Sequence, residues 1–432
     1  MVVGKEFFMP QSWNTNDQFV SGQDLTIEWW DIDRPKDYST NPRKWSTQAI
    51  EKVASSIREF GWRQPVVVDK DEIIAIGHLR RTAGKSIGLT QCPVHVARDL
   101  TPAQIRGLRL ADNRTNQEAE WDLSLLGPEL LDLKTMDFDL SLSGFDSREI
   151  DDLLRAAGND KDDAVPEVPQ TPVSRLGDKW ILGQHRVFCG DATDASTLQN
   201  LLAGNAADLV FTDPPYNVDY EGYTDKKLKI ENDRMEPEEF NRFLRAAFIN
   251  CREAVKQGSA LYICHASSVQ REFQNALEAA GFEVRCQIIW AKNTFAWGFG
   301  RYKFQHEPIF YCHVAGQSDA WYGDKSQSTL WQEKKPAANR LHPTMKPVEL
   351  IERALVNSSK SGDIIADLFG GSGSTLIACE KMGRSARLME LDPRYVDVIV
   401  HRWQEYTDKQ ATLYGDGRTF DEVAQERREA PV

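Results

Sequence analysis

The chain of 432 residues contains no apolar run of membrane-spanning length, and no amino-terminal stretch joins a basic start to a short apolar core. Neither a membrane partner nor a secretory leader is expected. The seven cysteines are scattered, odd in number and never spaced as CxxC. That disfavours a disulfide framework and a structural zinc, so no metal is expected and a cytoplasmic location fits. Basic charge is scarce as well: 52 Lys and Arg face 65 Asp and Glu, a net charge of −13. A generally basic coat is excluded, and any nucleic-acid contact must concentrate along one groove and be salt-sensitive. There is no internal repeat, no clean GxGxxG turn and no P-loop ending in GK[ST], which disfavours a dinucleotide enzyme and a P-loop NTPase.

What is present begins at Ala207–Phe211, an apolar run that predicts a buried strand, with Asp213-Pro214-Pro215-Tyr216 at its carboxyl end. Two prolines fix φ and stop the ladder, so the backbone there is rigid. The Pro214 carbonyl beside the Asp213 carboxylate can accept both hydrogens of a planar amino group while the Tyr216 ring covers the heterocycle. That chemistry suits methyl transfer to an exocyclic amine of a nucleobase. Downstream, Ile364–Phe369 predicts a second strand, Gly370-Gly371-Ser372-Gly373-Ser374-Thr375 a turn, and Leu376–Met382 a helix. Strand, glycine turn and helix form the nucleotide cradle of doubly wound sheets. The next strand, Ala386–Glu390, ends in an acid suited to ribose hydroxyls.

With these segments in this order, about Val173 to Thr407 resembles the amino-methylating DNA methyltransferases that use S-adenosylmethionine. The DPPY segment precedes the glycine segment, as in the permuted beta class. His342-Pro343-Thr344-Met345-Lys346-Pro347 matches the segment that holds the cofactor's methionine end, and Gly190-Asp191 the acid that contacts its adenine. The resemblance implies an α/β fold: a Rossmann-like class I methyltransferase sheet with helices on both faces. It implies S-adenosylmethionine as cofactor and double-stranded DNA as partner. Asp213, Pro214, Pro215 and Tyr216 become the catalytic residues. Thr344 and Lys346 would hold the cofactor's carboxylate, and Asp367 with the turn Gly370, Gly371, Ser372 and Gly373 its amino group. Phe369 would pack against it, Glu390 take the ribose and Asp191 the adenine. Asp191 could also cap the helix near Ser196, and Asp367 could be structural.

The target base is expected to leave the duplex and stack on Tyr216. No cysteine follows a proline, which argues against ring-carbon methylation. Asp at the head of DPPY favours adenine N6, since related cytosine-N4 enzymes often carry Ser there. Cytosine N4 stays as the alternative, and a ParB-like DNA-binding protein with a non-catalytic cofactor half is the alternative of another class. The loop from Asn217 to Lys229, with Tyr220 and Tyr223, reads as a mobile lid. Basic and aromatic residues alternate from Lys292 to Glu307, and Lys292, Asn293, Arg301, Tyr302 and Lys303 are expected to contact DNA along a flexible backbone. The recognition segment, about Gly316 to Leu341, is short and predicts a short or relaxed target sequence.

The amino-terminal part, about Leu25 to Asn116, resembles the ParB/sulfiredoxin-like domain, a smaller α+β fold. Asn41-Pro42-Arg43, Gln64-Pro65-Val66-Val67-Val68 and Gly77-His78-Leu79-Arg80-Arg81 carry the likeness. Gly77, His78, Arg80 and Arg81 open a helix and, with Asn113 and Arg114, suggest a nucleotide or phosphate site. A leucine interrupts the usual Gly-x-Arg-Arg box, so DNA docking or a structural role stands beside nucleotide binding. The expected layout is a tail (1–24), this domain (25–117), a helical connector (118–158), an acidic proline-bearing linker (159–172), the methyltransferase domain (173–412) and a charged tail (413–432). A homodimer is a further option.

Overall fold

The computed structural model describes residues 25–39, 41, 43–115, 121–136, 138–157, 162–217, 234–296, 301–333 and 345–429. The chain divides into two compact units, Met1–Trp121 with Ser141–Phe145, and Asp122–Leu140 with Asp146–Val432.

The first unit is α+β. Its elements are β1 (Glu28–Asp31), α1 (Thr47–Phe60), β2 (Val66–Val68), β3 (Ile74–Ile76), α2 (His78–Ser86), β4 (Gln91–Val96) and α3 (Pro102–Thr115). The strands order as β1-β4-β2-β3, with β2 and β4 parallel. Trp30, Val66, Val68, Ile74, Cys92 and Val94 form its core. Helix α1 starts where the Ser46 hydroxyl accepts from the Ala49 amide at 3.1 Å, satisfying one orphan donor of the first turn.

The second unit is α/β. It opens with α4 (Leu123–Thr135) and α5 (Ser147–Ala156), followed by β5 (Lys179–Leu182), β6 (His185–Cys189), α6 (Ala195–Leu202), β7 (Ala207–Thr212), α7 (Pro237–Ala254), β8 (Val255–Cys264) and α8 (Gln270–Ala279). Then come β9 (Phe282–Ala296), β10 (Phe304–Val314), β11 (Leu330–Trp331), α9 (Val348–Ser358), β12 (Ile364–Asp367), α10 (Ser374–Met382), β13 (Ser385–Glu390), α11 (Pro393–Thr407), β14 (Thr412–Leu413) and α12 (Phe420–Glu429). Among the described residues the sheet runs β11-β9-β10-β8-β7-β12-β13-β6-β5-β14. The central strands β8, β7, β12, β13 and β6 are mutually parallel. Their near-continuous apolar runs follow from burial on both faces. Val210, Leu261, Ala366 and Met389 meet Leu198, Leu244, Phe248 and Phe273 of α6, α7 and α8. The alternate pleat faces α9, where the Tyr262 hydroxyl reaches Ser358 at 2.8 Å. The crossover from β7 moves to β8, and that from β12 moves the other way to β13. The two strands between these departures mark the switch point where ligands bind in such sheets.

Three expectations need correction. The charged tail is partly a packed helix: Phe420 and Val423 of α12 are buried, Phe420 lies 4.9 Å from the Trp180 ring, and Arg427 pairs with Asp178. The described end of the acidic linker is not solvated throughout, for Asp162 is buried and accepts from Lys381 at 2.8 Å. Most of the helical connector, Asp122–Leu140 and the part from Asp146 on, belongs to the second unit. Arg384 of that unit is fully buried and grips Asp151 of α5 through both guanidinium nitrogens at 2.6 and 2.8 Å.

Candidate active site

Strands β7 and β12 pair in parallel, Leu209 opposite Ile365 and Val210 opposite Ala366. The DPPY segment and the glycine turn therefore leave adjacent strand ends, although about 150 residues separate them in the chain. Asp367 ties the two ends together. It accepts from the Thr212 and Thr375 hydroxyls, each at 2.7 Å, and from the Phe369 amide at 3.1 Å. Burial pushes its carboxyl up to about 6 against those bonds. The expected contact of Asp367 with a cofactor amine is thus corrected: its oxygens are buried and turned to protein partners.

The glycine turn has steric reasons for its composition. A Cβ at Gly370 would stand 3.2 Å from the Met389 carbonyl, and Gly371 and Gly373 have φ of 51° and 84°. No L-residue with a Cβ adopts that turn without strain. Behind it lies Arg402 of α11, buried, whose guanidinium donates to the Ser372 carbonyl and to the Asp162 carbonyl, both at 2.8 Å. Glu390, at the end of β13, accepts from the Gly371 amide at 2.8 Å and the Asp392 amide at 2.9 Å. Burial raises its carboxyl to about 7 despite them. Phe369 packs against the core, its ring 5.8 Å from that of Phe243. Asp191 is exposed beyond β6 and accepts from the Thr193 amide and hydroxyl, each at 2.8 Å. The helix cap offered for it belongs to Asp194, which accepts from the Ser196 amide at 2.8 Å. Glycine turn, Glu390 and Asp191 thus stand in a row across three neighbouring strand ends.

Asp213 sits in a chain of alternating charge. Its Oδ2 accepts from Lys346 at 2.5 Å, and its Oδ1 accepts from the Tyr216 hydroxyl. Lys346 also lies 3.3 Å from Glu307, which pairs on its far side with Lys292. Burial opposes the Lys346 charge, but Asp213 and Glu307 outweigh it and hold the amine well above the usual lysine range. Burial likewise opposes the Glu307 charge, yet Lys346 and Lys292 draw its carboxyl down to about 2. Burial raises the Tyr216 phenol, which therefore serves Asp213 as a donor. Two assignments are corrected by this arrangement. Lys346 directs its charge to carboxylates of the protein, and Lys292 is spent on Glu307 because an ammonium left without a partner inside would be costly.

The segment after Lys292 lies in a hairpin of β9 and β10, Ala291 opposite His306 and Ala296 opposite Phe304, with a register shift between. Arg301, Tyr302 and Lys303 lie exposed between them, Tyr302 at 93 %. Trp331 of the recognition segment is buried. Thr344, Tyr220 and Tyr223 lie outside the described residues, as do the side chains of Asn293, Asn113 and Arg114. In the first unit Gly77 takes φ of 100° ahead of α2. Arg81 is buried, donating to the Ile32 carbonyl at 2.8 Å and to Asp37 at 2.9 Å. Arg80 donates to the Pro65 carbonyl at 3.1 Å, and His78 accepts weakly from the Tyr38 amide at 3.4 Å beside the Trp45 ring. Both guanidiniums of the expected phosphate site are thus engaged within this unit.

Sequence reasoning missed Glu307 and Arg402. An acid closing a basic and aromatic run was a signal for Glu307. Nothing local marks Arg402, which interrupts an apolar helix face.

Residues 207–401 match the DNA methylase family of N6 and N4 enzymes, residues 124–176 the ParB-methyltransferase helix-turn-helix domain, and residues 17–113 the ParB N-terminal domain. The type II methyltransferase M.HinfI of Haemophilus influenzae is 23 % identical over 235 residues, which are 47 % of this chain and 65 % of that enzyme. The type II methyltransferase M.HpaI of Haemophilus parainfluenzae is 27 % identical over 252 residues, 50 % of this chain and 73 % of that one. The chain thus spans just under two thirds of the M.HinfI length. The crystal structure of the M1.HpyAVI–SAM complex superposes on 50 % of this chain and 97 % of its own with a TM-score of 0.41 and 21 % identity. By its family matches the chain carries a domain of the N6/N4 DNA methylase family at residues 207–401 and a ParB N-terminal domain at residues 17–113.

Proposed function

We propose that the protein is a DNA adenine-N6 methyltransferase that uses S-adenosylmethionine. The observation that carries this reading is the meeting of Asp213 and the glycine turn on adjacent strand ends, bridged by Asp367. The cradle fits the cofactor by its chemistry: Gly371 offers backbone with open space where a Cβ would be, Glu390 keeps free lone pairs for ribose hydroxyls, and Asp191 stands exposed one strand further for the adenine amine. Bound there, S-adenosylmethionine supplies an electrophilic methyl group on a sulfonium. Asp213 and the Pro214 carbonyl take the two amino hydrogens of an extruded adenine, which turns the nitrogen lone pair out of the ring and toward that methyl. The sulfonium would supply the methyl group and keep the S–C electron pair, while the amine held by Asp213 and Pro214 would give up one proton to solvent. Tyr216 orients Asp213 through its hydroxyl and covers the base with its ring. Positioning accounts for much of the rate. The ParB-like unit serves DNA docking, in keeping with the internal engagement of Arg80 and Arg81.

The test is nucleoside mass spectrometry of methylation-free DNA treated with the protein and S-adenosylmethionine. N6-methyladenine is expected. N4-methylcytosine would move the target to cytosine, and no methylated base would leave a DNA-binding protein with a non-catalytic cofactor half.

Arg402 gives a second expectation. Its two bonds to Ser372 and Asp162 fix the turn from behind, and Lys has a single nitrogen with which to replace them. Arg402→Lys should weaken S-adenosylmethionine binding about tenfold, the order set by one charge-assisted hydrogen bond. Calorimetric titration checks it, and an unchanged affinity would remove Arg402 from the cradle.

A further inference from the structure

We propose that Glu307 is a positioning residue of the transfer site, sharing the Lys346 ammonium with Asp213 so that Asp213 keeps the acceptor strength that amine activation needs. The inference rests on the methyltransferase reading above. Lys292 from β9, Glu307 from β10, Lys346 ahead of α9 and Asp213 after β7 alternate in sign through direct contacts. The other groups facing Lys346 are the Tyr216 hydroxyl at 3.4 Å and the Cys264 thiol at the end of β8. The Lys346 side chain is only 7 % exposed, so water screens these charges little.

Without Glu307, Lys346 would belong to Asp213 alone. A carboxylate neutralised by a private ammonium is a weaker acceptor, and the ammonium itself opposes the positive charge that grows on the amine nitrogen during transfer. Glu307 divides the cation between two carboxylates. Among the described residues its buried Oε2 has no hydrogen-bond partner and meets Lys346 as an ion at 3.3 Å, which is the contact of a counter-charge. Lys292 in turn keeps Glu307 ionised and in place.

The test compares the full-length wild type with Glu307→Gln and Glu307→Asp. Single-turnover transfer to methylation-free DNA is followed from about pH 6 to 10, with calorimetry for S-adenosylmethionine affinity and thermal melting as a control for folding. Glu307→Gln should transfer about 10²-fold more slowly at neutral pH with cofactor affinity within about threefold. Its rate should climb at alkaline pH, where Lys346, opposed by burial and held by Asp213 alone, sheds its proton and releases the carboxylate. The wild type should be flat over that range. Glu307→Asp keeps the charge but draws it back by one methylene. It should lie between the two with a shallower rise, and it decides the matter if Glu307→Gln does not fold. A variant that folds and matches the wild type in rate and profile would overturn the proposal. So would a slow variant with no alkaline rise, which marks a purely structural residue. A wild type without any transfer to DNA would sink the methyltransferase reading first and this inference with it.

Discussion

Asp213→Ala should transfer methyl groups about 10³-fold more slowly than the wild type, or not measurably, with S-adenosylmethionine affinity held within about threefold. The two effects separate because the residues that serve them separate. Asp213 lies at the end of β7 with its side chain 27 % exposed, where an incoming amine can reach it. Gly371, Glu390 and Arg402 make their contacts with one another's neighbourhood and none with Asp213. The variant should also fold. Truncating one partner of a buried ion pair is destructive when it strands the other charge, but Lys346 keeps Glu307 at 3.3 Å. Loss of activity therefore reports loss of the acceptor and not of the site. Radiolabelled methyl transfer beside calorimetry checks it. Retention of more than about a tenth of the wild-type rate would place the acceptor elsewhere.

The parts of this site that could be read from sequence are those in which local pattern and local chemistry coincide. Ala207–Thr212 is an apolar run ahead of Asp213-Pro214-Pro215, Ala386–Glu390 is a short segment ending in an acid before Asp392-Pro393, and both are strands. Gly370 and Gly373 sit where a Cβ would press on Met389 or Ile399, and Gly371 takes φ of 51°, so their spacing carried steric information. Charge partners carry none. Lys346 stands 133 residues from Asp213, and no rule of spacing joins them; a lysine between prolines beside a cofactor motif was naturally given to the cofactor. Lys292 and Arg81 are cations of the same kind, each with an acid or carbonyl partner on another element that no spacing reveals. Helix α12 was hidden differently. Only Phe420, Val423 and Ala424 face inward, and the acids and arginines between them made the segment look solvated.

The connector poses the same problem on a larger scale, and its expected behaviour differs from that of a linker. Read by composition, residues 118–158 are a helical connector between two domains. In the structure Asp151 of α5 closes both nitrogens of Arg384, a side chain with no exposed surface, which also donates to the Ser359 carbonyl at 2.9 Å and the Met382 carbonyl at 2.6 Å. From α4, Lys134 reaches the Lys381 carbonyl at 2.5 Å at the end of α10. Asp151→Ala would leave a buried guanidinium with only neutral acceptors. Such stranding costs about 3–5 kcal/mol, and the unfolding midpoint of the methylase unit should fall by on the order of 10 °C. An independent connector would instead leave that transition where it was. Calorimetry of the full chain distinguishes the two. Since α10 begins at the glycine turn and ends against this pair, S-adenosylmethionine added at saturation should recover part of the lost midpoint, because a ligand that binds only the folded unit pulls the equilibrium toward it.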